Sequence, residues 1–296
     1  MCFLPVLGII YMIGMYCPLF PIAPFPPVTP TIEQPVEQQF LPRSPEKIEQ
    51  RAREVTVRII SEKNAASGIL IEKRGSTYFV ITNKHVLQAD SNIKVVTFDG
   101  KSYPASVVKS INFEPIDLVL LSFQSPVIYS AARLGRSRDL AIGEWVFSTG
   151  FPARSQTWKF AEGQYTFATP QPMQYGYAFG YSSEVEKGMS GGAVMDSYGR
   201  VIAVNGVHAN PLWGKPSYRY ANGDKPCDPI REEMTNLSWA IPMETVMQFM
   251  PDLRAASLDA VGINEKVPNP FASKRPLPSF LQERAKFLSK CVVPPA

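Results

Sequence analysis

An all-β fold of antiparallel strands, arranged as a sandwich or a barrel, is what the sequence predicts, and three observations predict it. From Val55 onward apolar residues recur with a period of two, the repeat of a strand with one buried face. Turn residues break these runs roughly every ten residues. No long helical pattern separates the runs, which argues against the alternating units of a parallel sheet. At 296 residues, 45% of them apolar, the chain has ample length for a buried core.

The elements follow in order. Residues 1–25, MCFLPVLGIIYMIGMYCPLFPIAPF, precede the first charged residue, Glu33. The run between Pro5 and Pro18 has the length of a signal-peptide core and is short for a membrane span. A signal or membrane-anchor segment is expected there, and with it an extracytoplasmic protein, secreted, periplasmic or tethered. The alternatives are a mis-assigned start or a segment packed on the domain, since no Lys or Arg precedes the run and no A-x-A follows it. Nine prolines fall between residues 18 and 45, so 26–45 reads as an extended linker. SPEKIEQRARE then suits a short helix with Ser44 as cap and Pro45 in the first turn, although Lys47 stands where a capping box takes an acid.

The strands begin at VTVRII. SGILIEKRG and STYFVITN form a hairpin about Arg74-Gly75, and IKVVTFDGKSYPASVV a second about Asp99-Gly100. IDLVLLSF, GEWVFSTGFP, GQYTFA, YGYAFGY, GGAVMDSYGRVIAVNGV and LSWAIP continue the series. Tyr175, Tyr177, Phe179 and Tyr181 alternate with small residues, as core-facing residues of one strand do. Helical spacing returns in Val246, Phe249 and Met250. The expected division is a folded domain over 46–256 and a Pro-rich tail over 257–296.

Net charge is +4 without a clustered basic patch, so a nucleic-acid partner is not expected. Of the four cysteines, Cys2 and Cys17 lie in the apolar segment; Cys227 and Cys291 are the candidates for a disulfide, with free thiols the alternative. Two histidines and no CxxC spacing argue against a zinc site, and no cofactor or metal is expected.

The stretch that carries chemistry is EKGMSGGAV, 186–194. Gly188-Met189-Ser190-Gly191-Gly192 satisfies G-x-S-x-G, yet the strand before it and the helix after it that a nucleophile elbow needs are missing. The only histidine downstream is His208, eighteen residues on, which reads as a surface or structural residue. The order His, Asp, Ser fits instead. A serine hydroxyl needs a base to take its proton, and His85 is the one histidine upstream. Asp90, Asp99, Asp117 and Asp139 are the carboxylates between them. Asp90 is too near His85 in sequence, Asp99 sits in a turn and Asp139 in a charged loop. Asp117 opens the apolar run DLVLLSF and is favoured as the orienting group.

VITNKHVL, IDLVLLSF, GEWVFSTGFP, GMSGGAVMDSYGRVIAVN and LSWAIPMETV, spread in order over residues 53–250, resemble the blocks of trypsin-like serine peptidases. The pattern is most like the bacterial HtrA-type branch. The resemblance implies two antiparallel six-stranded β-barrels of the chymotrypsin-like kind, a short C-terminal helix, and a site in the cleft between the barrels. It implies that Ser190 attacks, His85 shuttles the proton, Asp117 orients His85, and the N–H groups of Gly188 and Ser190 form an oxyanion hole. Glu184, six residues before Ser190, would lie at the base of the specificity pocket, or be a solvated charge. Asn205, Gly206 and Val207 would border that pocket through their backbones, with a peptide or protein as substrate.

The sequence departs from the pattern at Met189, where trypsin has an aspartate and the HtrA type an asparagine. That residue keeps open a catalytically silent barrel used as a binding or regulatory module. No PDZ domain of the HtrA type is expected, the stretch after residue 250 being short for one. The loop over 209–236 either shapes the cleft or covers a barrel end.

Overall fold

The computed structural model describes residues 43–62, 64–87, 92–169, 171–207 and 218–253. The apolar segment, the linker as far as Pro42, Asp90, His208, Cys291 and the expected tail lie outside the described residues.

Helix α1 (Pro45–Val55) comes first, with Ser44 at its N-cap in extended conformation. The Ser44 side chain makes no capping bond; its carbonyl instead accepts the N–H groups of Lys47 and Ile48. Ile48, Ala52 and Val55, spaced to share one helix face, are fully buried. Burying Ile48 and Val55 contributes about 1.5–3 kcal/mol each. Their partners include Ile69 and Ile81 from the first barrel and Phe147 and Met195 from the second, so α1 is a wedge across both.

The first barrel contains β1 (Thr56–Ile60), β2 (Ala65–Arg74), β3 (Thr77–Thr82), β4 (Ile93–Val96), β5 (Ser102–Val107) and β6 (Val119–Gln124). They close in the order β1-β2-β3-β6-β5-β4, antiparallel throughout. The second contains β7 (Trp145–Gly150), β8 (Lys159–Ala168), β9 (Phe179–Tyr181), β10 (Ala193–Asp196), β11 (Val201–Val207) and β12 (Ser238–Pro242). It closes as β10-β11-β12-β9-β8-β7, again antiparallel. The two six-stranded barrels are those the resemblance implied. Two short helices complete the described structure, α2 (Asp228–Thr235) and α3 (Met243–Phe249), the latter being the expected C-terminal helix.

The period of two sorts side chains between two cores. On β2 and β3, Leu70, Tyr78 and Val80 point into the first barrel with Val57, Val95 and Leu121. Their neighbours Ile69 and Ile81 point outward into the core shared between the barrels, which also holds Trp239, Ile241 and Val246. The second barrel encloses Val146, Tyr181, Met189, Val194 and Ile202. Two expectations change. The strand read over YGYAFGY is confined to Phe179–Tyr181, because Tyr175 (φ 65°) and Gly176 (φ 87°) turn the backbone out of the extended region. The polar loop carries α2, whose eight residues are too few to show a helical period in the sequence.

The expected Asp99-Gly100 turn joins β4 to β5, with Gly100 at φ 82°. Asp99 accepts hydrogen bonds from Thr97 Oγ1 at 2.6 Å and from the Tyr129 hydroxyl at 3.1 Å. Burial works against its charge, but the hydrogen bonds from Thr97, Lys101 and Tyr129 outweigh it and hold the carboxyl at a pKa of about 2. A folded value below the unfolded one gives stability that is present above about pH 4 and lost as pH falls through about 2. Asp99→Asn is therefore expected to lower Tm at pH 7, on the order of 2–4 °C if the lost bonds are together worth about 1 kcal/mol. Thermal unfolding followed from pH 7 to pH 2 should show the gap to wild type closing at the acid end.

Candidate active site

The end of β3 delivers the first group. Thr82 closes the strand, and Lys84–Val86 makes one tight helical turn that carries His85 out of the sheet. Asn83, fully buried, donates through Nδ2 to the Asp117 carbonyl at 3.0 Å. His85 donates its backbone N–H to Asp117 Oδ1 at 2.9 Å, and its Nδ1 lies 2.6 Å from Asp117 Oδ2. A carboxylate at Nδ1 calls for the proton on that nitrogen, leaving the Nε2 lone pair free to accept another. The Asp117 side chain is 11% exposed and the His85 side chain 49%, so the pair is anchored at one end and open to solvent at the other.

Asp117 Oδ2 takes a second donor that sequence reading missed, the Tyr177 hydroxyl at 2.5 Å. Tyr177 is buried, and burial first, then the neighbouring Asp117 charge, pushes its phenol well above its ordinary range, so it remains a donor. The Tyr177 ring also lies against Gly206, and the Gly206 carbonyl accepts the Ser190 hydroxyl at 3.0 Å. Asp117, Tyr177, Gly206 and Ser190 thus form one connected series across the two barrels. Among the described residues no hydrogen bond joins Ser190 Oγ to His85; the hydroxyl is turned to Gly206.

Around Ser190 the backbone is pinned from the opposite barrel. Ser67, fully buried on β2, donates its N–H to the Ser190 carbonyl at 2.9 Å and its hydroxyl to the Gly188 carbonyl at 2.8 Å. The same hydroxyl accepts the Phe151 N–H at 2.8 Å. With both carbonyls held on the Ser67 side, the N–H groups of Gly188 and Ser190 donate to no protein acceptor among the described residues. Gly188 adopts φ 97°, and a Cβ there would collide with the backbone of Phe151 and Ala153, so only glycine fits.

Met189 between them is fully buried in the second barrel with Val146, Tyr181 and Val194. Its carbonyl accepts from Asn205 Nδ2 at 2.9 Å, while Asn205 Oδ1 accepts the Tyr181 hydroxyl at 2.6 Å. An apolar anchor and an amide clamp thus hold this loop from within the second barrel. The Asn205 N–H donates to the Gly192 carbonyl and its carbonyl accepts from the Gly191 N–H, so its backbone is tied to the loop that carries Ser190. The Glu184 side chain is 87% exposed, with Lys159 Nζ at 3.5 Å from its carboxylate. Val207, half-buried, ends β11. Among the described residues no three His, Cys, Asp or Glu side chains gather to hold a metal ion. Cys227 is disulfide-bonded; the other three cysteines lie outside the described residues.

Residues 66–204 match the family model of the trypsin-like peptidase domain. The serine protease Do-like HtrA of Bacillus subtilis (strain 168) is 24% identical over 155 residues, covering 50% of this chain and 34% of its own. The serine protease HTRA4 of Homo sapiens is 27% identical over 210 residues, covering 68% of this chain and 37% of its own. The chain spans about a third of the length of the curated relatives it matches. A serine endoprotease from Yersinia pestis superposes with a TM-score of 0.53 at 19% identity, over 72% of this chain and 67% of that one. An HtrA-type protease with a tripeptide gives 0.55 at 19% identity, over 71% and 64%. These structures share the fold. The resemblance read from the sequence, to trypsin-like peptidases with HtrA-type relatives, is borne out.

Proposed function

We propose that this trypsin-like domain is a serine endopeptidase that cleaves peptide bonds through an acyl-enzyme. The observation that carries the proposal is the His85–Asp117 pair, 2.6 Å apart with the His85 side chain half-exposed, in connection with Ser190 through Tyr177 and Gly206. In the reaction Ser190 Oγ turns from the Gly206 carbonyl to His85 Nε2 and attacks the substrate carbonyl carbon as Nε2 takes its proton. Asp117 stabilises the imidazolium. The oxyanion lies between the N–H groups of Gly188 and Ser190, which have no acceptor to give up among the described residues. Collapse breaks the C–N bond, His85 returns the proton to the leaving amine, and a water repeats the sequence on the acyl-enzyme. We place this activity outside the cytoplasm, as the apolar segment 1–25 and the Cys227 disulfide suggest, with 46–256 as the peptidase domain.

A second reading, a silent barrel that binds without cleaving, is favoured by the Ser190 hydroxyl resting on Gly206. Treating the full chain with a fluorophosphonate probe separates the two. The expected result is a single adduct, mapped by peptide mass to Ser190. A folded protein that stays unlabelled at Ser190 and cleaves no peptide library would overturn the peptidase reading in favour of the second.

A further inference from the structure

We propose that Tyr177 is a positioning residue of this site, its hydroxyl holding the Asp117 carboxylate in the orientation that presents His85 to Ser190; the proposal rests on the triad reading above. The alternation of Tyr175, Tyr177, Phe179 and Tyr181 predicts a core-packing role for Tyr177. A packing residue needs no hydroxyl at this place, yet the hydroxyl is buried and 2.5 Å from Asp117 Oδ2.

The local backbone is shaped to bring it there. The segment before β9 turns through positive φ at Tyr175 and Gly176. Gly176 packs on Ile116, and the Tyr175 carbonyl accepts the Asp117 N–H at 3.0 Å. Asp117 thus receives both a backbone acceptor and a side-chain donor from one short turn of the other barrel. Gly206 makes room for the ring, since a Cβ there would overlap Tyr177 Cε1 and the hydroxyl. The turn is itself tied down: Gln174 N–H donates to the Arg219 carbonyl and Ala221 N–H to the Pro172 carbonyl, both at 2.9 Å.

The chemistry follows from counting donors on the carboxylate. Oδ1 accepts the His85 N–H, and Oδ2 accepts both His85 Nδ1 and Tyr177. Without Tyr177, Asp117 is held by His85 alone, so its orientation is less firmly fixed and Oδ2 carries more uncompensated charge toward the imidazole. The charged groups on the neighbouring segments are Lys84, next to His85 in the chain, and Glu114, which form an exposed ion pair with each other.

Tyr177→Phe in the full chain tests this, since it keeps the ring and removes one oxygen. The expected result is a fall in kcat/KM of roughly tenfold, carried by kcat with KM unchanged. The acid limb of the pH–rate profile should move to higher pH, because the imidazolium is better stabilised by a carboxylate with one donor fewer. Replacing Tyr177 by 3-fluorotyrosine, a stronger donor, should move the limb the other way. The low-field NMR signal of the His85–Asp117 proton is a readout that needs no turnover, and it should shift in both variants. If Ser190 proves unreactive while that signal still shifts, the triad reading fails but the positioning contact stands. A Tyr177→Phe protein with unchanged signal, unchanged limb and unchanged kcat overturns the proposal, whatever its Tm.

Discussion

Ser190→Ala and His85→Ala are each expected to lower kcat on a good peptide substrate by about 10⁶, and the double variant by no more than either alone. The reason is that the hydroxyl and the imidazole act as one unit. Without Nε2 to accept the proton, Ser190 is an ordinary alcohol; without the hydroxyl, the imidazole has nothing to activate. Asp117→Asn is expected to cost less, about 10⁴. Its amide fits the pocket but presents N–H₂ to one of the groups now donating to Asp117: His85 Nδ1, the His85 N–H or the Tyr177 hydroxyl. If it faces Nδ1, the imidazole must shift its proton to Nε2, the nitrogen that has to accept from Ser190. KM should change little in all three, since none of the side chains is placed to hold the remote parts of a substrate. Single-turnover rates on a peptide ester would check the set. Additive losses in the double variant would mean that His85 and Ser190 work independently, and the triad would have to be abandoned.

The pairing of His85 with Asp117 was legible in the sequence for physical reasons. His85 is the single histidine upstream of Ser190, and Asp117 puts a charge at the mouth of an apolar strand where burial demands a partner. The barrels were legible because turn chemistry is local: Gly75 and Gly100 adopt the positive φ that their hairpins need. What stayed hidden is the support. Ser67 and Gly188 are 121 positions apart, Tyr177 and Asp117 60, and Asn205 and Met189 16. Each looks like an ordinary strand residue until the barrels close. The same holds for Glu184. Its position relative to Ser190 suggested a pocket; the Lys159 beside it is visible only in the fold. One signal was present and was read in the wrong sense. Tyr175-Gly176-Tyr177 alternates like a strand, whereas a glycine between aromatics at the end of a polar stretch also suits a turn that aims a side chain.

Ser67→Ala bears on the part of the site that is built from backbone alone, and there the expected loss is about 10² in kcat. One hydroxyl satisfies two backbone groups at once, the buried Gly188 carbonyl and the part-buried Phe151 N–H, each at 2.8 Å. Alanine leaves both without a partner, at about 1–3 kcal/mol for a buried group. Gly188, having no side chain, is able to relieve that cost by rotating its peptide groups, and doing so turns its N–H away from the oxyanion. The Ser190 N–H should hold its place, because the Ser67 backbone still binds the Ser190 carbonyl. Half of the hole is therefore lost, and the loss should be one of transition-state binding alone. Affinity for a peptide boronate should fall in step with kcat/KM, while binding of a substrate to the Ser190→Ala form should be the same with or without Ser67. Met189 and Asn205 make the opposing case, since they anchor the same loop from the second barrel. If Ser67→Ala lowers Tm but leaves kcat and boronate affinity unchanged, those two residues hold the hole unaided and Ser67 serves only to join the barrels.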